Sequence, residues 1–191
     1  MLYDFISDLF TKYKNNNLSY QDKTLLLEQL IIERHGDAAI LSVFDSDDFS
    51  SHQDLYKWVC AFCSTDVLEH IDKSGKVLKH MDSAINASII NHNTTTFLYL
   101  LKHYPQQVLN LHHLKTSVTR AKGYKREEIF LLYLQNIKQI ENLDMLKFID
   151  DSAELITNAQ KTQLIAQFEK DKLKKQTNQP IDNNLKKVVK I

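Results

Sequence analysis

The stretch Ala84-Ile85-Asn86-Ala87-Ser88-Ile89-Ile90-Asn91-His92-Asn93-Thr94-Thr95-Thr96-Phe97-Leu98-Tyr99-Leu100-Leu101 decides how this chain folds. Small Ala84 and Ala87 alternate with isoleucines at helical spacing, and Phe97, Leu98, Leu100 and Leu101 resume that spacing beyond a polar break. Asn91-His92-Asn93 is too short to be more than a turn, so the two apolar runs read as antiparallel helices. Thr94 is the expected cap of the second helix, Val77 the expected start of the first, and Pro105 the stop.

Toward the N-terminus, Leu2, Phe5, Ile6, Leu9, Phe10 and Tyr13 mark a first helix that Asn15-Asn16-Asn17 ends. Ser19-Tyr20-Gln21-Asp22 has the form of a capping box for a helix reaching Arg34, and Gly36 stands where a C-terminal glycine belongs. A short helix over Ala38 to Phe44, then Leu55 to Phe62 and Val67 to Ile71, complete that half. Toward the C-terminus, Leu111 to Ala121 leads to a turn at Gly123 and an apolar helix from Ile129 to Ile137. Two further helices are expected near 142–149 and 153–170. With three Gly and two Pro in 191 residues, the chain lacks the turn residues that sheets require. The fold class is all-α, with one helical domain over 1–170 and a basic, weakly ordered tail over 171–191.

Gly36, Ser64, His92 and Gly123 mark four turns, each followed by a comparable apolar cluster. A helix pair cannot bury its apolar face alone, whereas stacked pairs share one core. With its small residues, its turn and its Leu100-Leu101 pair, the quoted unit resembles a degenerate ankyrin repeat, and the resemblance spans about residues 25–137. It lacks the Thr-Pro-Leu-His signature and most hairpin glycines, and two units fall short of about 33 residues. Those departures leave projecting β-fingers unsupported, and a plain helical bundle shares the same periodicity. The resemblance implies stacked antiparallel helix pairs and recognition of a protein partner on a helical face. Eroded ankyrin-like chains of Asn/Lys/Ile-rich composition are similar to effectors that intracellular bacterial pathogens deliver into host cells, which implies a host protein as partner and translocation.

Cys60 and Cys63 form a C-x-x-C inside a helical pattern rather than at a helix start after a strand, so they read as buried core thiols. Zinc would need about two further ligands near them, and none follows at ligand spacing. Adjacent His112 and His113 project about 100° apart and cannot share an ion, so the histidines read as surface or turn residues. Asp45, Asp47 and Asp48 lack calcium-loop spacing and read as loop solvation, with Asp47 or Ser50 capping the next helix. No catalytic or phosphate-binding motif is present, and no cofactor or metal is expected.

The formal charge is zero but uneven: residues 1–110 carry 9 Lys and Arg against 14 Asp and Glu, and residues 111–191 carry 15 against 10. Lys115, Arg120, Lys122, Lys125 and Arg126 gather around one turn with Tyr124 among them, and these six are the candidate partner-binding residues. The reading favoured is a non-catalytic protein–protein interaction module. Nucleic-acid or anionic-membrane binding through the basic half is one alternative, and an enzyme with an unrecognised helical site is another. No apolar run reaches the roughly 18 residues of a membrane span, and Met1-Leu2-Tyr3-Asp4 is not a signal peptide's start. A reducing, cytoplasmic compartment is expected.

Overall fold

In the computed structural model, which describes residues 2–15, 18–49, 52, 54–77 and 79–177, the described residues form twelve α-helices and no strand. The chain divides into two compact units, Met1–Asn142 and Leu143–Ile191, where the sequence reading has one domain over 1–170.

The first unit begins with α1 (Leu2–Lys14), which packs on α2 (Tyr20–Ile32) and is tied to the next helix by the Tyr13 hydroxyl, 2.7 Å from the Ser42 carbonyl. Four helix pairs follow: α2 with α3 (Asp37–Asp45), α4 (Leu55–Phe62) with α5 (Thr65–Ser74), α6 (Met81–Ile90) with α7 (Thr94–His103), and α9 (Leu111–Tyr124) with α10 (Glu128–Gln135). First helices touch first helices, in the order α2, α4, α6, α9, and second helices touch second helices, in the order α3, α5, α7, α10. The pairs therefore stack in two rows, each burying its apolar stripe against the next.

A 29-residue register runs through the first row. Leu26, Leu55, Ala84 and His113 are equivalent, as are Leu27, Tyr56, Ile85 and Leu114; Leu30, Val59, Ser88 and Ser117; and Ile31, Cys60, Ile89 and Val118. All are buried. The second row repeats Ile40, Leu68, Phe97 and Phe130, with Val43, Ile71, Leu100 and Tyr133 one turn on, all buried. Helix α6 has neighbours on both sides in its row. Its Ala84 and Ser88 suit that position, because small side chains let flanking backbones approach. The Ser88 hydroxyl bonds its own helix at the Ile85 carbonyl, 2.7 Å away, and Ser117 does the same at Leu114, so neither leaves an unmet donor in the core.

The expected start of α6 at Val77 is corrected to Met81. Gly75, in the left-handed region at φ 66°, ends α5, and Lys79 is drawn back into an ion pair with Asp72. Asn93, not Thr94, caps α7: its Oδ1 accepts from the Thr96 amide at 3.3 Å. Pro105 stops α7 as expected but also opens a one-turn helix, α8 (Pro105–Val108), since its fixed φ suits a first helical position. Neither expected cap is found on α4. Asp54 stands at its N-cap position, Asp47 is held by Lys23 at 3.0 Å, and Ser50 lies outside the described residues. Ser19 caps α2, with the Asp22 amide 3.2 Å from Ser19 Oγ, but the Asp22 carboxylate accepts from that hydroxyl at 2.8 Å instead of closing the box on the Ser19 amide.

In the second unit α11 (Met145–Asp151) packs on α12 (Asn158–Thr177). Thr157 and Gln160 open α12 with a reciprocal cap: the Gln160 amide donates to Thr157 Oγ1 at 3.2 Å, and Gln160 Oε1 accepts from the Thr157 amide at 2.8 Å. Since α12 runs to Thr177, the expected tail boundary at 171 falls inside a helix; Pro180, Lys186, Lys187 and Lys190 lie outside the described residues.

The two-row register predicts opposite outcomes for neighbouring leucines on α7. Leu100 is fully buried and Leu98 is 44% exposed. Leu100→Asp should cost about 4 kcal/mol or more by placing a charge in the shared core, and Leu98→Asp less than about 0.5 kcal/mol. Chemical denaturation of the two variants measures the difference.

Candidate functional site

Three of the four pair turns use a left-handed residue that is not glycine: Arg34 at φ 56°, His92 at φ 54° and Lys125 at φ 54°. In the first and third turns the geometry is the same. The His35 amide reaches the Leu30 carbonyl at 2.9 Å, and the Asn93 amide reaches that of Ser88 at 2.9 Å, the bond that closes a Schellman cap. In the fourth, the Lys125 amide bonds the Ala121 carbonyl at 2.9 Å. The turn expected at Gly123 is thereby corrected: Gly123 is helical and the chain reverses two residues later, at Lys125.

Side chains stitch successive turns into one edge. The Arg34 guanidinium lies 5.9 Å from the Phe62 ring centroid, and Ser64 donates to Asp37 at 2.7 Å. Asn93 Nδ2 donates to the carbonyls of Cys60 and Cys63 at 3.2 and 3.1 Å. His92 meets Tyr124 edge-on at 6.0 Å, and the Arg120 guanidinium lies 5.2 Å from the opposite partner of that contact, the Tyr124 ring. Apart from Arg120 on Tyr124, which lies within α9, each rung joins residues 27 to 33 apart, so the edge carries the repeat as plainly as the core does.

At the α6–α7 and α9–α10 end of this edge the structure brings together four of the six predicted residues. Tyr124 is 61% exposed, flanked by His92 and half-buried Arg120, and Lys125 and Arg126 stand exposed at its C-terminal side. Lys115 and Lys122, seven residues apart, share one exposed face of α9 leading to the turn. Among the described residues no carboxylate lies within 4.0 Å of any of these cations, although Glu127 and Glu128 follow directly in the chain. Burial first, then the charges of Arg126 and Arg120, push the His92 imidazole below its usual range, with Glu128 opposing. His92 is therefore neutral near pH 7 and leaves the positive charge to its neighbours. Ile90, two residues before His92 in the chain, is also exposed, at 40%, and was not singled out in the sequence.

No family model, curated protein or solved structure matches the chain.

Two polar clusters went unread in the sequence because their members are scattered along it. Asp72 on α5 accepts from the hydroxyls of Tyr56 at 3.3 Å, Tyr99 at 3.0 Å and Tyr104 at 2.7 Å, and pairs with Lys79. These donors come from α4, α7, the α7–α8 junction and the α5–α6 connection. Burial raises the Asp72 pKa, but the bonds from Lys79, Tyr104 and Tyr99 outweigh it and hold the carboxyl below its usual range. The carboxylate is thus saturated, and the cluster clamps the second pair to the third.

His113 corrects the expectation that the histidines are surface or turn residues, which His112 alone of the adjacent pair fits. Its side chain is fully buried in α9, with Nδ1 3.2 Å from Asn86 Oδ1 and Nε2 3.2 Å from Asp82 Oδ1, both on α6. Asn86 is oriented by its own Nδ2, 3.2 Å from His112 Nε2. Two acceptors favour an imidazolium, yet burial dominates and pushes the His113 pKa down. Cys60 and Cys63 are buried free thiols, as read; burial pushes Cys63 up to about 12 and Cys60 upward too, so neither is a thiolate near neutrality.

A histidine titrating below about 6.5 only when folded stabilises the fold above that pH and ceases to do so as pH falls through its folded value. Stability should therefore decline as pH falls below about 6.5, and His113→Gln should flatten that decline in thermal melts taken above and below it. Asp72 acts lower: its contribution is lost as pH falls below about 3.9. At neutral pH Asp72→Asn should cost about 2 kcal/mol by stranding Lys79 and weakening three phenol bonds, read in denaturant melts.

Proposed function

We propose that this chain is a non-catalytic protein-interaction module that holds its partner on the turn edge of its third and fourth helix pairs. The observation that carries this is Tyr124, 61% exposed yet fixed between His92 and Arg120, with exposed Lys125 and Arg126 directly after it in the chain. A large amphipathic ring held in one orientation loses little entropy on binding, and Tyr and Arg dominate the residues that carry binding energy at interfaces.

What supports a non-catalytic reading is the closed state of the other polar clusters. Asp72 has its bonds filled by Lys79 and three tyrosines, buried His113 has both ring nitrogens against Asn86 and exposed Asp82, and the two thiols are held protonated. What supports the ankyrin likeness is the stacking of four pairs in a 29-residue register; the absence of any strand among the described residues sets the chain apart from arrays with β-fingers. The likeness to effectors of intracellular bacteria extends the proposal to a host protein as partner, and its support is composition.

A photo-reactive benzoylphenylalanine in place of Tyr124 tests the reading, with the same residue at exposed Leu98 on α7 as control. A discrete protein adduct from position 124 alone, retained when salt rises from about 50 to 200 mM, is expected. Adducts with RNA or lipid only, lost at the higher salt, would move the function to polyanion binding.

A further inference from the structure

Ion pairing in this molecule is lopsided. Among the described residues, the ion pairs join Lys12 to Asp8, Lys23 to Asp47, Lys57 to Asp54, Lys73 to Glu69 and Lys79 to Asp72, with His35, His52, His70 and His113 on four further acids. No Lys or Arg beyond His113 appears in any of them. Five acids of the first half are held by lysines of the chain itself and four more lie against histidines, which pair with them only when protonated, whereas the cations around Tyr124 are left to solvent.

Resting on the protein-binding reading above, we infer that the partner segment is an acidic peptide: an extended stretch with two or three carboxylates beside one apolar or aromatic anchor. The anchor sits against Tyr124, and the carboxylates meet Arg120, Lys122, Lys125 and Arg126. Lys115 and Lys122 are about 10 Å apart along α9, at about 1.5 Å per residue, a distance that about three residues of extended chain span at about 3.3 Å each. A carboxylate every second or third position thus keeps pace with the cations. Arg adds a planar fork that binds carboxylate through two parallel bonds.

The same surface suits other occupants poorly. Nucleic acid presents a phosphate charge about every 1.7 Å of duplex and is gripped by a long basic track with several stacking rings. Here there is one exposed ring, already faced by Arg120, and exposed Glu127 and Glu128 stand beside the cations.

Selection of a random peptide library displayed on phage against the full chain tests this. Selected peptides should be enriched in Asp and Glu around a Leu, Ile or Phe. Binding of a selected, fluorescein-labelled peptide should weaken at least about tenfold in Arg120→Glu/Arg126→Glu. Lys122→Glu/Lys125→Glu, at exposed positions that cannot disturb the core, should weaken it as well, with the wild-type circular dichroism spectrum retained. Peptides without acidic enrichment, or affinity unchanged by both charge reversals, would overturn the acidic partner; if such peptides still depended on Tyr124, protein binding at this edge would stand. Displacement of the peptide by a 20-nucleotide oligo-dT at equal concentration, or failure to select any peptide, would overturn both readings.

Discussion

Burial of the first-row helices against one another is the constraint on which everything else in the larger unit depends. Leu55, Ala84 and His113 occupy one level of three successive helices, and each is fully buried only because its neighbour in the row is there. A single pair, with an apolar stripe on two sides, would present most of that stripe to water. Removing about 100 Å² of apolar surface is worth about 2.5 kcal/mol, so each added neighbour stabilises the pair before it as much as itself. Helices α4 and α6 gain most from this, each being covered in its row on both sides.

Two edges of the stack solve different problems. At the pair turns the chain reverses within a few residues, and backbone caps with small side-chain rungs are sufficient. At the opposite edge longer connections cross from one pair to the next, and their polar groups converge on shared acceptors: Asp72 for the second and third pairs, Asp82 and Asn86 with His113 for the third and fourth. The seams are thus held by charged or titratable groups where the core alone would leave helix ends exposed. Acid weakens the His113 seam first and the Asp72 clamp later, which gives the two junctions separate pH ranges.

Helical periodicity made most of the architecture legible in the sequence. The apolar runs from Leu26 to Ile31, Leu55 to Cys60 and Ile129 to Tyr133 announced their buried faces, and the basic turn around Tyr124 was visible from local composition. What escaped were features set by distance across the fold. Nothing local distinguishes His113 from His112; only its equivalence to Ala84 and Leu55 places it in the core. The Asp72 cluster draws on residues from 56 to 104. Gly123 misled because glycine is the usual left-handed residue, whereas here Lys125 takes that conformation and the glycine remains helical. The break near 142 was missed because α11 and α12 continue the same helical patterning that precedes them.

Lys125 carries a further consequence. A non-glycine residue in the left-handed region gives up about 1 kcal/mol relative to glycine, and Arg34, His92 and Lys125 all accept that strain at turns where glycine would relieve it. In each place the chain retains a long or aromatic side chain that reaches outward or across to the next turn. These positions are therefore small local reserves of unrealised stability. A version of this protein tuned only for rigidity would have glycines at its corners and would lose the Arg34 and His92 side chains that reach across to the next turn.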